Sequence, residues 1–191
     1  MISCFEVALR NRIDHTYRES HGNDWIRTSI GGVFAGDKCR NTRKKIEDKI
    51  NTLGEKCSHD KLVAEMEFGF WRYLFAPTQF WTAGSILLNI FPCRPRSSNS
   101  IKYNHSYVFE ELQKINNLRN RIAHHEAICF TADASKISTD YVRIRYQIIL
   151  TLFHWMDIDE KSLMHGLDHV ITVCNEIDSL SLKSTSLPSS Q

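Results

Sequence analysis

An all-α bundle of five to seven helices is the fold this sequence predicts, and three observations predict it. Apolar residues recur at three- and four-residue spacing over most of the 191 positions. No segment alternates apolar and polar residues for long enough to make a strand. Glycine, proline and Asn/Asp stops fall between the periodic stretches. A chain of this length fits a single domain that hides roughly 70% of its unfolded surface, so neither disulfide nor metal is needed for stability. The domain is placed at residues 1–180, and the polar end SLKSTSLPSSQ, residues 181–191, is expected to be disordered.

The first helix is read from Ile2 to about Tyr17, because Phe5, Leu9, Ile13 and Tyr17 fall on one face. His21-Gly22-Asn23-Asp24 ends it. Residues 37–53 form a charged surface helix with a narrow stripe of Ile46, Ile50 and Leu53, stopped by Gly54. Ser58 suits the N-cap of a helix running to about Phe75, and Pro77 breaks that pattern. A shorter apolar helix follows over 79–91, and these two segments hold most of the aromatic bulk of the core. Residues 92–104 read as a basic loop carrying Arg94, Arg96 and Lys102. A long helix then spans about 106–125, with Val108, Leu112, Ile115, Leu118 and Ile122 turned inward. Two more helices are expected over 135–156 and 159–180. Val142 to Ile149 is β-branched in places but sits inside a long helical pattern, so it is assigned to helix.

Composition excludes several functions. A net charge of +2 rules out a polycation that coats nucleic acid by bulk electrostatics, so any phosphate binding needs a local patch. The six cysteines are scattered and form no C-x-x-C pair, which points to reduced thiols in a cytoplasmic protein. The longest apolar stretch, 80–91, is too short to span a bilayer, and no membrane partner is expected. Gly31-Gly32-x-x-x-Gly36 lacks the Lys-Ser/Thr of a phosphate loop, and no cofactor is expected. His165 and His169 lie four apart in the last predicted helix but have no third ligand near them in sequence, so no metal site is assigned.

The feature that carries chemistry is a repeated string. Leu9 to His15 and Leu118 to His124 both read LRNRI-x-H, and His125 and Glu126 follow the later copy. At about 100° per residue, His124 lies about 200° round from Ile122, with Asn120 one turn behind it and Arg119 at the flank. The first copy has the same layout in Arg10, Asn11 and His15. A guanidinium can bind a phosphate, an amide can orient it, and an imidazole titrating near neutrality can move a proton beside it. An ordinary polar helix face carries the same residue types, and the spacing alone does not separate the two.

Leu118 to Glu126, LRNRIAHHE, resembles the signature of the Abi-like (abortive infection) proteins of bacteria, within the HEPN superfamily of helical nucleases and nucleotide-binding domains. That superfamily's motif is R-x(4–6)-H with a polar residue after the arginine. Glu6 to Asn11, EVALRN, is similar to the family's N-terminal motif, and Glu67 to Phe75, EFGFWRYLF, to its FGFW segment. Ala127 stands where family members often have proline, and the short lead before Glu6 reads as an N-terminally shortened member.

The resemblance implies a HEPN-like bundle and a metal-independent endoribonuclease of anti-phage defence or toxin type. Arg119, Asn120, His124 and His125 would be its catalytic residues. Glu6, Arg10, Asn11 and Arg121 would contact RNA. It also implies a homodimer whose motif helices face each other across a basic cleft, and an antitoxin or defence-system partner. Two other readings remain at this level: a helical module that binds RNA or a nucleotide without cutting, and a scaffold whose repeated string is a dimer contact.

Overall fold

The computed structural model describes residues 1–131 and 136–185. Among these the chain is helical, with one isolated antiparallel bridge between Phe130 and Ile137 as its only β pairing. The helices are α1 (Ile2–His21), α2 (Trp25–Thr28), α3 (Arg40–Leu53), α4 (His59–Glu65), α5 (Phe68–Tyr73), α6 (Pro77–Thr82), α7 (His105–Ala123), α8 (Asp140–Trp155), α9 (Glu160–Leu163) and α10 (Val170–Thr185). That makes ten among the described residues, where five to seven were expected, because two expected helices are each split in two and α2 was not expected.

Helix α1 is the axis of the core. Phe5, Leu9, Ile13 and Tyr17 are completely buried, as the four-residue stripe requires. The Phe5 ring meets Phe153 of α8 edge-on at 5.3 Å and Phe68 of α5 at 6.2 Å. Tyr17 packs on Trp25 at 4.6 Å, and Trp25 lies 6.4 Å from Trp71. The FGFW segment is therefore core: Phe68, Phe70 and Trp71 are all buried.

Each interruption has a local cause. The segment expected to be one helix from Ser58 to Phe75 stops at Met66 and Glu67, which are extended. The break frees the Met66 carbonyl to accept the buried Trp71 indole N–H at 3.1 Å. The next helix halts at Gly84 (φ +82°) and Ser85 (φ +63°), a left-handed pair that forces a single 3₁₀ turn over Ile86–Ile90. The last expected helix is split by Gly166 at φ +70°, so His165 and His169 lie in the turn and not four apart on a helix.

Caps fix the remaining boundaries. Ser58 accepts the Lys61 N–H, and Asn104 accepts the Tyr107 N–H at 3.1 Å, which starts α7 at His105. The start expected for the penultimate helix, at Ser135, lies outside the described residues, and α8 begins at Asp140. Helix α10 continues to Thr185, beyond the residue-180 boundary expected for the domain, and 186–191 lie outside the described residues. Among the described residues no helix is long and apolar enough to cross a membrane.

Candidate functional site at the C-terminal end of α7

The stripe of α7 begins as expected, with Val108, Leu112, Ile115 and Leu118 buried. Ile122 departs from it. It is 46% exposed and borders a cavity of about 400 Å³ that also touches Met1, Ile2, Tyr146, Ile149 and Val173. The inward stripe ends one turn early because α7 runs past the edge of the core and its last turn projects beyond it.

His124 is the C-cap and not a helical residue, as φ −94° and ψ 10° show. The Glu126 N–H donates to the Arg121 carbonyl at 2.8 Å, and the His125 N–H to the Ile122 carbonyl at 3.1 Å. Those two bonds form a Schellman motif with His125 in the left-handed C′ position, φ +56°. Glycine is the residue usually found there; a histidine pays about 1–2 kcal/mol in backbone strain.

The strained turn holds both imidazoles out. His124 and His125 are exposed, as is Asn120, and among the described residues none of the three side chains has a hydrogen-bond or ionic partner. Asn120 is linked to His124 through the main chain, its carbonyl accepting the His124 N–H at 2.9 Å. Arg119 lies 3.5 Å from the Glu6 carboxylate of α1, with the two side chains 39% and 21% exposed. This contact brings the EVALRN segment to the RNRIAHH segment. Arg10 lies one turn beyond Glu6 on α1, and its Nε donates to Asn11 at 3.5 Å.

Arg121 is committed to the turn itself. Its Nε lies 3.2 Å from Glu126, its NH2 donates to the Ala127 carbonyl, and its guanidinium stands 4.8 Å from the Tyr141 ring of α8. Arg145 covers the same ring at 3.8 Å. Sequence reading did not find Tyr141 and Arg145. Nothing in the YVRIR run of α8, residues 141–145, marks them, and only the packing of α7 on α8 places this second guanidinium next to Arg121.

The two copies of the repeat serve different ends. In the first, Asp14 replaces Ala123 and is drawn inward. It accepts the Trp25 indole N–H at 2.8 Å, contacts His59 Nε2 at 2.7 Å, and accepts the Arg18 Nε–H at 2.8 Å. Burial pushes the Asp14 carboxyl upward, but the hydrogen bonds from Trp25 and His59 and the field of His59 and Arg18 outweigh it, leaving the group below 3.8. His15 is exposed and lies 3.3 Å from Glu19. The second arginine bonds a main-chain carbonyl in both copies: Arg12 to Met156 at 3.0 Å, Arg121 to Ala127. The first copy thus sits mid-helix and braces the core, whereas the second ends its helix at the surface.

The neighbouring cavity is lined mainly by aliphatic side chains, with Cys129, Tyr146, His169 and Cys174 among them. Burial, and then the proximity of Cys174 and Asp178, push the Cys129 thiol upward and keep it protonated. Tyr146 is pushed up to about 12 by burial and its hydrogen bond to Asp168. The polar chemistry of this end lies on the turn outside the cavity. No family model, no curated protein and no solved structure matches the chain.

Proposed function

We propose that this chain is a metal-independent endoribonuclease of the HEPN type, acting in bacterial abortive-infection defence or as a toxin, with its reactive groups at the C-terminal end of α7. The observation that carries the reading is the strained turn that leaves two imidazoles exposed and unpartnered, among the described residues, at the helix end that also carries Arg119 and Asn120. Left-handed strain at a non-glycine residue is concentrated at functional sites.

RNA brings its own nucleophile. An imidazole of His124 or His125 takes the proton of a 2′-OH as the 2′-oxygen attacks the adjacent phosphorus. The bond to the 5′-oxygen breaks, and that oxygen leaves with a proton from the protein or water. Products are a 2′,3′-cyclic phosphate and a 5′-hydroxyl. Charge gathers on the non-bridging oxygens in the transition state, where the forked guanidinium of Arg119 stabilises it. Asn120 orients the phosphate or the ring. Glu6 holds Arg119 in place before substrate arrives, and Arg10 and Asn11 extend the surface along α1. Arg121 acts by fixing the turn.

One chain supplies one motif, and a homodimer that apposes two such helix ends supplies a second guanidinium and a second proton carrier. The assembly acts in a cytoplasmic setting where an antitoxin or another defence component restrains it. The test is a panel of single variants of the purified protein, incubated with single-stranded RNA and chelator. His124→Ala or His125→Ala should lower cleavage by at least about 100-fold at the true proton carrier, and Arg119→Ala by a similar factor. Full activity in all three would end the proposal.

A further inference from the structure

A second basic surface lies on α3, away from the end of α7. Between positions 38 and 49 stand six cations, Lys38, Arg40, Arg43, Lys44, Lys45 and Lys49, against Glu47 and Asp48. Two are used internally: Arg43 donates to the carbonyls of Phe34 and Ala35, and Lys49 lies 3.5 Å from Glu65. Lys38, Arg40, Lys44 and Lys45 are exposed and have no acidic partner among the described residues. Arg40 stands in the first turn of α3, where no acidic residue offsets the positive end of the helix dipole. The arrangement works against the helix alone and is relieved by an anion.

The surface is concave. Two adjoining hollows of about 330 and 250 Å³ share Lys45 and Asp48 and form one trough between α3 and α5. Lys44 and Asn41 line its more basic end, and Tyr73 of α5 forms the facing wall. Tyr73 is 38% exposed, and its ring is held edge-on by Phe109 of α7 at 6.3 Å. Cations on one wall and a braced aromatic ring on the other are the two elements that single-stranded nucleic acid needs: charge for the backbone and a face on which an unstacked base can lie. A duplex keeps its bases stacked inside and offers no such face.

We infer that this trough holds single-stranded RNA, with Lys44 and Lys45 on successive phosphates, Tyr73 stacked on a base, and Lys38 and Arg40 extending the positive field at its entrance. This rests on the RNA reading of the α7 site and deepens it. Phe109 is in the first turns of α7 and Arg119 ten residues further on, about 15 Å along the axis. One strand can therefore be gripped at the trough while its scissile bond lies at the helix end.

The experiment measures binding of a fluorescent mixed-sequence single-stranded RNA to full-length protein carrying His124→Ala and His125→Ala, across a salt series. Adding Lys44→Ala with Lys45→Ala should weaken binding about tenfold or more and lower the slope of log affinity against log salt by about 1.4. Tyr73→Leu should weaken binding about tenfold with the slope unchanged. Affinity and slope unaltered by the lysine pair would overturn the inference. So would equal binding of a blunt RNA duplex, or full displacement of the RNA by an acidic polypeptide at equal charge concentration. Cleavage separates this inference from the nuclease reading. With native histidines, the lysine pair should lower kcat/KM for long RNA and leave a dinucleotide substrate unaffected. Binding that depends on the trough in a protein that cuts no RNA would uphold the trough and remove the nuclease.

Discussion

Replacing His125 by glycine tests the strained turn directly. His125 occupies the C′ position of the α7 Schellman motif at φ +56°. An L-residue there costs about 1–2 kcal/mol relative to a right-handed conformation. Glycine removes that strain, offset by about 0.5–1 kcal/mol from the greater freedom of its unfolded chain. His125→Ala keeps the strain and loses the same imidazole, so it is the proper reference. His125→Gly should be more stable than His125→Ala by about 0.5–1 kcal/mol, which in a protein of this size raises Tm by about 1–4 °C. Urea denaturation followed by circular dichroism reads this as a higher midpoint with an unchanged slope. A glycine variant no more stable than the alanine variant would refute the left-handed turn, and with it the argument that strain is maintained there for function.

Further expectations concern other parts of the molecule. Asp14→Asn should cost about 2 kcal/mol, because it removes the half-buried carboxylate that Arg18 and His59 share, while Arg18 keeps Asp60 and His59 keeps Asp24 nearby. Since the folded-state value of Asp14 is depressed, its contribution is fully present above 3.8 and is lost as pH falls through the lower folded value; urea midpoints of wild type and Asp14→Asn should converge in that acid range. Glu6→Gln should change stability by less than about 1 kcal/mol, given the exposure of the pair. It should also lower RNA affinity in a filter-binding assay, because Glu6 holds Arg119 in place; tighter binding would show that the carboxylate competes with RNA for the arginine instead. Asp178→Asn removes the carboxylate that receives Thr139 and Arg143, and should speed amide exchange across α10 while leaving α1 protected.

The sequence-to-structure lesson is clearest on the two long helices. The stripes of α1 and of the first four turns of α7 were legible because each buried residue follows the last by a helical turn. The break at Met66 was not, because no glycine or proline marks it. It comes from Trp71, whose buried N–H needs a main-chain carbonyl that an unbroken helix would not expose. The site was legible as a residue set and not as a shape. Arg119, Asn120 and the two histidines could be picked out, but the exit of His124 and His125 from the helix depends on where the core ends beneath Ile122. The pairing of Arg119 with Glu6, and of Arg121 with Tyr141, joins residues far apart in the chain that periodicity does not encode; only the Arg145–Tyr141 contact, one helical turn long, is local. The repeated string shows the limit of motif reading: one copy lies mid-helix and braces the core through Asp14, while the other ends its helix at the surface.

Metal-free transesterification at the turn after α7 would leave its signature on the ends of the cut RNA. A defined single-stranded oligonucleotide should be incubated with wild-type protein in excess chelator and the fragments weighed by mass spectrometry. The fragments should carry 2′,3′-cyclic phosphate and 5′-hydroxyl ends, formed at an undiminished rate and lost when both His124 and His125 are alanine. Fragments with 5′-phosphate ends, cleavage that needs a divalent ion, or cleavage that survives loss of both histidines would contradict that chemistry.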